Sequence, residues 1–154
     1  MTASLARYSQ AGPLRPPAVT GDPRELRARG ISATPRRLAV LAALERQDGP
    51  CSAHDLYSSL RAEGTAISLT TTYRTLAVLA QGGLVHALEH GGETVYLACG
   101  DERHAHLVCR ACGLVLEAEP VRLRDRFAGP PEAAAFLIEE VYGVCGSCRT
   151  APPI

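Results

Sequence analysis

A chain of 154 residues and 16.3 kDa has room for one domain or two small ones, which argues against a large enzyme core. Apolar residues at 46% and charged residues at 21% are the proportions of a folded soluble protein, and no apolar run approaches the roughly 20 residues of a membrane span. The formal net charge of zero speaks against nucleic acid until it is split: residues 1–80 hold ten arginines against six acids (+4), and residues 81–154 hold six against ten (−4).

A basic half joined to an acidic half suits a DNA-facing module joined to a metal-binding one; with differences this small, chance is the alternative. The opening Met1-Thr2-Ala3-Ser4 has no basic segment followed by an apolar one, so no secretion signal is expected and the cytoplasm is the expected location. Residues 1–22, with Gly12, Pro13, Pro16, Pro17 and Gly21, read as a flexible arm. A short helix is expected from Pro23 to Arg29, ended by Gly30. Thr34-Pro35 then supplies an N-cap with proline at the first helical position, and Leu38, Leu41, Ala42 and Leu44 mark a buried stripe to about Arg46. Asp48-Gly49-Pro50 is a turn. Ser52 caps a helix from Ala53 to about Arg61, with Leu56 and Leu60 one turn apart and Gly64 as its stop.

Ser68 caps a third helix, Leu69 to about Gln81. A helical wheel puts Leu69, Tyr73, Leu76, Leu79 and Ala80 on one side and Thr70, Thr71, Arg74 and Thr75 on the other. Gly82-Gly83 ends it. Leu84–Leu88 and Thr94–Ala98 are strand-like and joined by a loop containing His90-Gly91-Gly92, a β-hairpin. Three helices and a hairpin over residues 23–98 make a winged helix, a relative of helix-turn-helix whose last helix enters the major groove. Residues 99–154 read as a second, metal-binding domain. His104–Cys109 and Gly113–Glu117 are strands around a tight turn, Val121–Phe127 is a short helix before Gly129-Pro130-Pro131, and Phe136–Tyr142 is a third strand. The expected class is therefore α+β.

Six cysteines in an untargeted chain point to metal or redox chemistry rather than a disulfide scaffold. Cys109-Arg110-Ala111-Cys112 and Cys145-Gly146-Ser147-Cys148 are two Cys-x-x-Cys pairs separated by 32 residues. Each tight turn sets two thiolates at the separation of two corners of a tetrahedron, and two turns close a zinc shell at about 2.3 Å per sulfur. Gly113 and Gly146 relieve the backbone at the sharpest points. A closed four-sulfur site leaves no position for substrate, so its zinc is structural. Redox-active pairs or disulfides are the alternatives; a thioredoxin-like pair would need a β-α-β context that this sequence does not supply.

A second constellation comprises His86, Cys99, His104 and His106. His104 and His106 alternate along one strand and project from one face. Cys99 ends the hairpin and His86 lies on its first strand. Imidazoles with one thiolate form a borderline-soft tetrahedral set that suits zinc more than manganese. The bland alternative is a solvated His86 and a Cys99 that is merely a small buried hydrophobe. His54, on a helix surface, and His90, in a loop, need no metal to explain them, and Cys51 beside Pro50 reads as a partly buried thiol.

Over roughly Leu26 to Cys148 the sequence resembles the ferric uptake regulator family of bacterial metal-responsive repressors. The resemblance rests on Thr34-Pro35-Arg36-Arg37-Leu38, Ser52-Ala53-His54-Asp55-Leu56-Tyr57 and Thr70-Thr71-Thr72-Tyr73-Arg74-Thr75-Leu76. It continues through His104-Ala105-His106-Leu107-Val108-Cys109-Arg110-Ala111-Cys112-Gly113 and Tyr142-Gly143-Val144-Cys145. It implies a homodimer, with an N-terminal winged helix for DNA and a C-terminal α/β domain for dimerisation, that metal at the hinge closes onto an AT-rich palindromic operator. It implies that Tyr73 and Arg74 contact double-stranded DNA, with Arg37 as an additional contact; Thr70 and Thr71 share the exposed side of the same helix. Most such contacts go to phosphate.

Subtype is decided at the second constellation. Iron-type members carry glutamate where this chain has Leu97, whereas Cys99 and the two histidines match the pattern of zinc uptake regulators, which often hold aspartate at the position of His86. Peroxide-sensing relatives need hard oxygen ligands around iron. A third metal site of many relatives uses side chains where this chain has Arg103, Ala105 and Leu137, so that site is expected to be missing. The segment between the cysteine pairs is shorter than usual and contains Pro130-Pro131, which bears on the dimerisation helix.

The expectation is a zinc-responsive transcriptional repressor carrying two zinc ions per chain, one structural and one regulatory. The same regulator answering to iron, manganese or nickel is the alternative. A zinc enzyme would need a general base near the metal, and Glu102 is the nearest carboxylate in sequence. A purely structural zinc module for protein contacts is the remaining reading if the Leu69 helix does not bind DNA.

Overall fold

A computed structural model describes residues 21–99, 104–118 and 138–150. The expected arm up to residue 20, the helix at 121–127, Pro130-Pro131, Glu102, Arg103 and Leu137 lie outside the described residues. Two compact units are present: residues 21–99 belong to one, and 104–118 with 138–150 to the other.

In the first unit helices α1 (Pro23–Ala28), α2 (Pro35–Glu45), α3 (Ala53–Ala62) and α4 (Leu69–Gln81) each begin on a side chain that accepts a hydrogen bond from an otherwise unpaired amide. The Asp22 carboxylate takes the Arg24 N–H at 2.8 Å, and the Ser68 hydroxyl takes that of Thr71 at 3.2 Å. Ser52 accepts from the Asp55 N–H at 3.1 Å while its hydroxyl donates to the Asp55 carboxylate at 2.9 Å. The α4 terminus is a Schellman motif. The Gly83 N–H reaches the Ala80 carbonyl and the Leu84 N–H the Leu79 carbonyl, both at 3.0 Å, with Gly83 at φ +71° where a Cβ would be strained.

Strands β1 (Cys51–Ser52), β2 (Val85–His90) and β3 (Glu93–Ala98) form an antiparallel sheet in the order β1-β3-β2. The hairpin is tighter than expected. His90 pairs with Glu93, so the strands run to the turn itself, because Gly91 and Gly92, at φ +61° and +81°, supply the two left-handed residues of a type I′ turn. The two-residue β1 was not expected from the sequence. It buries Cys51 against Tyr96, and burial, with the Asp55 charge, pushes that thiol up to about 12.

Helices and sheet close over a core that includes Leu26, Leu41, Leu56, Leu60, Leu76, Leu79 and Leu84. Two helix faces differ from expectation. In α2 the fully covered residues are Val40, Leu41, Ala43 and Leu44, with Leu38 and Ala42 only half-buried. In α4 the covered stripe is Thr72, Thr75, Leu76 and Leu79, so Thr75 faces inward and Tyr73 faces out. Two threonines mask that stripe in the sequence; Thr72 is buried at no cost in hydrogen bonding because its hydroxyl donates to the Ser68 carbonyl at 3.1 Å.

In the second unit β4 (Ala105–Cys109) lies between β5 (Val115–Ala118), antiparallel to it, and β6 (Glu140–Gly143), parallel to it. Of the third strand expected over 136–142, only Glu140–Gly143 is extended among the described residues, and a five-residue helix α5 (Gly146–Thr150) follows. Gly113 takes the expected positive φ of +74°; Gly146 does not, and instead starts α5.

Candidate metal centres and nucleic-acid interface

The four-cysteine cluster is built from two turns that the sheet brings together. Cys109 ends β4, and its partner in the parallel ladder is Gly143, two residues before Cys145. The Arg110 N–H donates to the Gly143 carbonyl at 2.8 Å, fixing one turn on the other. One sulfur each from Cys109, Cys112, Cys145 and Cys148 lies within 4.8 Å of the others, and Cys112 and Cys145 approach to 3.8 Å. The Cys145 N–H points at the Cys109 sulfur, 3.3 Å away, as an amide does toward a thiolate. These are the donors, number and spacing of a tetrahedral zinc shell.

The thiols are unequal before any cation is considered. Burial opposes ionisation of Cys109, but amide donors from Cys145, Cys112 and Ala111, with the Cys112 thiol, overcome it and bring this thiol down to about 6. Cys148 is pushed up to about 12, chiefly by neighbouring Cys112 and Cys145, and Cys112 is also raised. The Cys148 thiol is held protonated by hydrogen bonds it shares with its neighbours, and a bound dication would replace those bonds. Because zinc takes thiolates, the raised thiols surrender protons on binding, whereas Cys109 has already lost most of its own at pH 7. Calorimetry in buffers of different ionisation enthalpy is therefore expected to show fewer than four protons released per zinc at pH 7, rising toward four near pH 5. Four at both values would contradict this inequality.

The donors of the second constellation are assembled in each unit separately. In the first, His86 is half-buried on β2 opposite Leu97, and Cys99 is buried just beyond β3. The Cys99 N–H donates to the Leu84 carbonyl at 3.1 Å, and the donor atoms of His86 and Cys99 lie within 4.8 Å of one another. In the second unit His104 and His106 do share a face: their rings meet edge to face with centroids 4.8 Å apart. His106 is fully buried.

Sequence reading missed Glu117. It pairs with His106 across the β4–β5 ladder, its carboxylate is 4.0 Å from His104 Nε2, and with the two histidines it forms a second group able to hold a metal. Burial raises its carboxyl above the usual carboxylate range, and neighbouring His104 offsets only part of that. The register that places it is set by the Cys109 N–H bond to the Leu114 carbonyl at 2.8 Å, a count that the Cys-x-x-Cys turn would have permitted. Ala105 is buried on β4 and has no donor atom to offer a third site.

On α4, Thr70, Tyr73 (41% exposed) and Arg74 face outward. Thr71 is half-buried, with its hydroxyl 2.9 Å from that of Ser68. Tyr73 is thus available to a ligand, against the wheel that put it on the buried side. The ring of His54, exposed in the first turn of α3, stands edge-on to it at 6.2 Å. Arg37 is turned toward its own chain, donating to the Ser32 carbonyl at 2.9 Å.

A winged helix with an outward Tyr-Arg pair, followed by a sheet that gathers thiols and imidazoles, defines a metal-dependent transcription regulator rather than an enzyme. Residues 28–138 match the sequence profile of the ferric uptake regulator family, and the chain belongs to that family. The zinc uptake regulation protein of Mycobacterium tuberculosis is 36% identical over 138 residues, covering 80% of this chain and 98% of its own. The ferric uptake regulation protein of Bordetella parapertussis is 32% identical over 134 residues, covering 83% and 96%. Among solved structures, a zinc uptake regulator complexed with zinc and DNA has a TM-score of 0.59 at 30% identity, covering 82% of this chain and 89% of its own. The manganese-bound ferric uptake regulator of Pseudomonas aeruginosa has a TM-score of 0.62 at 27% identity, covering 80% and 96%. No helix among the described residues is long and apolar enough to cross a membrane.

Proposed function

We propose that this protein is a zinc-responsive repressor that acts in the cytoplasm and binds an AT-rich palindromic operator as a homodimer when its regulatory metal is bound. Each chain would carry two zinc ions, one structural on Cys109, Cys112, Cys145 and Cys148 and one regulatory on His86, Cys99, His104 and His106. The observation that carries the reading is Cys99, a buried thiol whose sulfur sits beside an imidazole donor of His86. A soft sulfur among nitrogens selects zinc over the harder divalent ions. Zinc bound there would be held by one thiolate and by imidazoles. Its likeness to zinc uptake regulators, one of them described with zinc and DNA, supports the same assignment.

Operator contact is assigned to Thr70, Thr71, Tyr73 and Arg74 of α4, with Arg37 at the start of α2. Arg74 offers a planar guanidinium on the exposed face, suited to base edges or phosphate. A second reading keeps the regulator but changes the metal to iron or manganese. Glu117 favours it, because a carboxylate next to His104 adds a hard oxygen donor.

The test is operator binding by the full chain, purified without chelator and titrated with zinc, manganese and iron(II). Two zinc equivalents are expected, one removable by a mild chelator. Operator affinity should fall about 5- to 150-fold on its removal and return with zinc alone. Arg74→Ala should weaken binding with zinc present by about 5- to 150-fold, at about 1–3 kcal/mol per good contact. Affinity indifferent to removal of that zinc would defeat the proposal, and selective rescue by manganese or iron would establish the second reading.

A further inference from the structure

We infer that Arg110 is a positioning residue for the four-cysteine site, acting through Tyr142 to hold the two Cys-x-x-Cys turns at metal-binding distance and so slow the loss of zinc. This rests on zinc occupying that cluster and adds to it what sets the rate of release.

The two turns come from distant parts of the sequence, and among the described residues they are joined by the β4–β6 ladder and the Arg110–Gly143 bond. The second hangs on β6, whose only ladder among the described residues is with β4, and on the five-residue α5; Val144, between β6 and Cys145, is 54% exposed. Arg110 lies inside the first turn, between Cys109 and Cys112, and is exposed. Its backbone N–H bonds the Gly143 carbonyl, and its guanidinium carbon lies 5.7 Å from the centroid of the Tyr142 ring, within cation–π range. Tyr142 is held in turn by its hydroxyl, which donates to the Glu140 carboxylate at 2.7 Å. The side-chain contact therefore runs from the first turn to the strand that delivers the second, parallel to the Arg110–Gly143 backbone bond. A metal leaves a thiolate shell stepwise, as one turn swings away before the other lets go. A contact that keeps the turns opposed favours re-ligation at each step.

Exposed cation–π contacts of this kind contribute about 0.5–1 kcal/mol, which corresponds to roughly a two- to fivefold change in rate. The experiment is chelator-driven release from the zinc-loaded full chain, followed as the slow phase of a metallochromic assay. Arg110→Ala and Tyr142→Leu should each speed that phase about two- to fivefold, while Tyr142→Phe, which keeps the ring face but loses the bond to Glu140, should release zinc more slowly than Tyr142→Leu. Arg110→Ala should add nothing in the Tyr142→Leu background. The cobalt-substituted Arg110→Ala variant should keep the thiolate-to-metal bands of four sulfurs, showing that the shell is intact and only its lifetime is shorter. An unchanged rate for Arg110→Ala, multiplying effects in the double variant, or a Tyr142→Phe rate equal to that of Tyr142→Leu would each overturn the inference. Wild-type protein that holds no cysteine-bound zinc at all would instead remove the clamp on which it rests.

Discussion

Cys99→Ser is expected to leave the chain folded, with its four-cysteine zinc in place, and unresponsive to added zinc. The exchange replaces a sulfur by a smaller oxygen at a site only 5% exposed, and the backbone bond from residue 99 to the Leu84 carbonyl does not involve the side chain. The packing change is therefore small. The chemical change is large, since a neutral hydroxyl replaces the one soft anionic donor of the proposed set. A ligand shifts an equilibrium only by its differential affinity for the two states, so losing the ion removes the whole shift. Operator affinity at saturating zinc should drop to that of the zinc-free wild type, about 5- to 150-fold, when measured by fluorescence anisotropy. If the variant still responded at the same zinc concentration as the wild type, His86 and Cys99 would not be regulatory ligands.

Cys145→Ser should have the larger structural effect, and a local one. In the unit that carries the clamp, the buried residues among those described are Ala105, His106, Val108, Cys109 and Gly113, a small apolar inventory. Structural zinc binds thiolate-rich peptides with an apparent ~10–16 kcal/mol, as much as the whole stability of a typical domain. Removing one sulfur should cost the zinc and, with it, the β5-β4-β6 sheet. The first unit should persist, because its core cluster runs from Leu26 to Tyr96 and draws on none of the clamp. Zinc per chain should fall by one. In an amide correlation spectrum the signals of residues 104–118 and 138–150 should collapse toward random-coil positions, while those of α2, α3 and α4 stay dispersed. A variant that kept both its full zinc content and its β4 signals would show that three sulfurs suffice.

Three helix starts were legible because Thr34, Ser52 and Ser68 are capping residues placed before periodic segments, and α4 runs over the span expected, Leu69–Gln81. The cysteine cluster was legible because ligand spacing is a local property of two tight turns. The buried face of α4 was harder to read. Its inward positions 72 and 75 are threonines, and a wheel drawn through the leucines rotates the stripe until Tyr73 falls inside it. β1 escaped notice because two residues carry no period, and its pairing with Tyr96 and Val95 is a tertiary fact. Glu117 was missed for a related reason. A carboxylate on a strand becomes a candidate ligand only when the cross-strand register is known, and here that register had to be counted back from the Cys-x-x-Cys turn.

The Schellman turn at Gly83 and Leu84 has a mechanical consequence. Gln81 closes α4, Leu84 is pinned in the core, and His86 follows on β2, five residues beyond the end of the helix that displays Tyr73 and Arg74. Cys99 is tied back to the same Leu84 by its amide. The proposed ligands His86 and Cys99 and the helix proposed to meet DNA are thus joined through one short stretch of chain anchored at Leu84. On the proposed reading, a pull at that imidazole and sulfur would bear on the base of the helix, and a bound ion would act on an operator by altering the helix's aim rather than its shape.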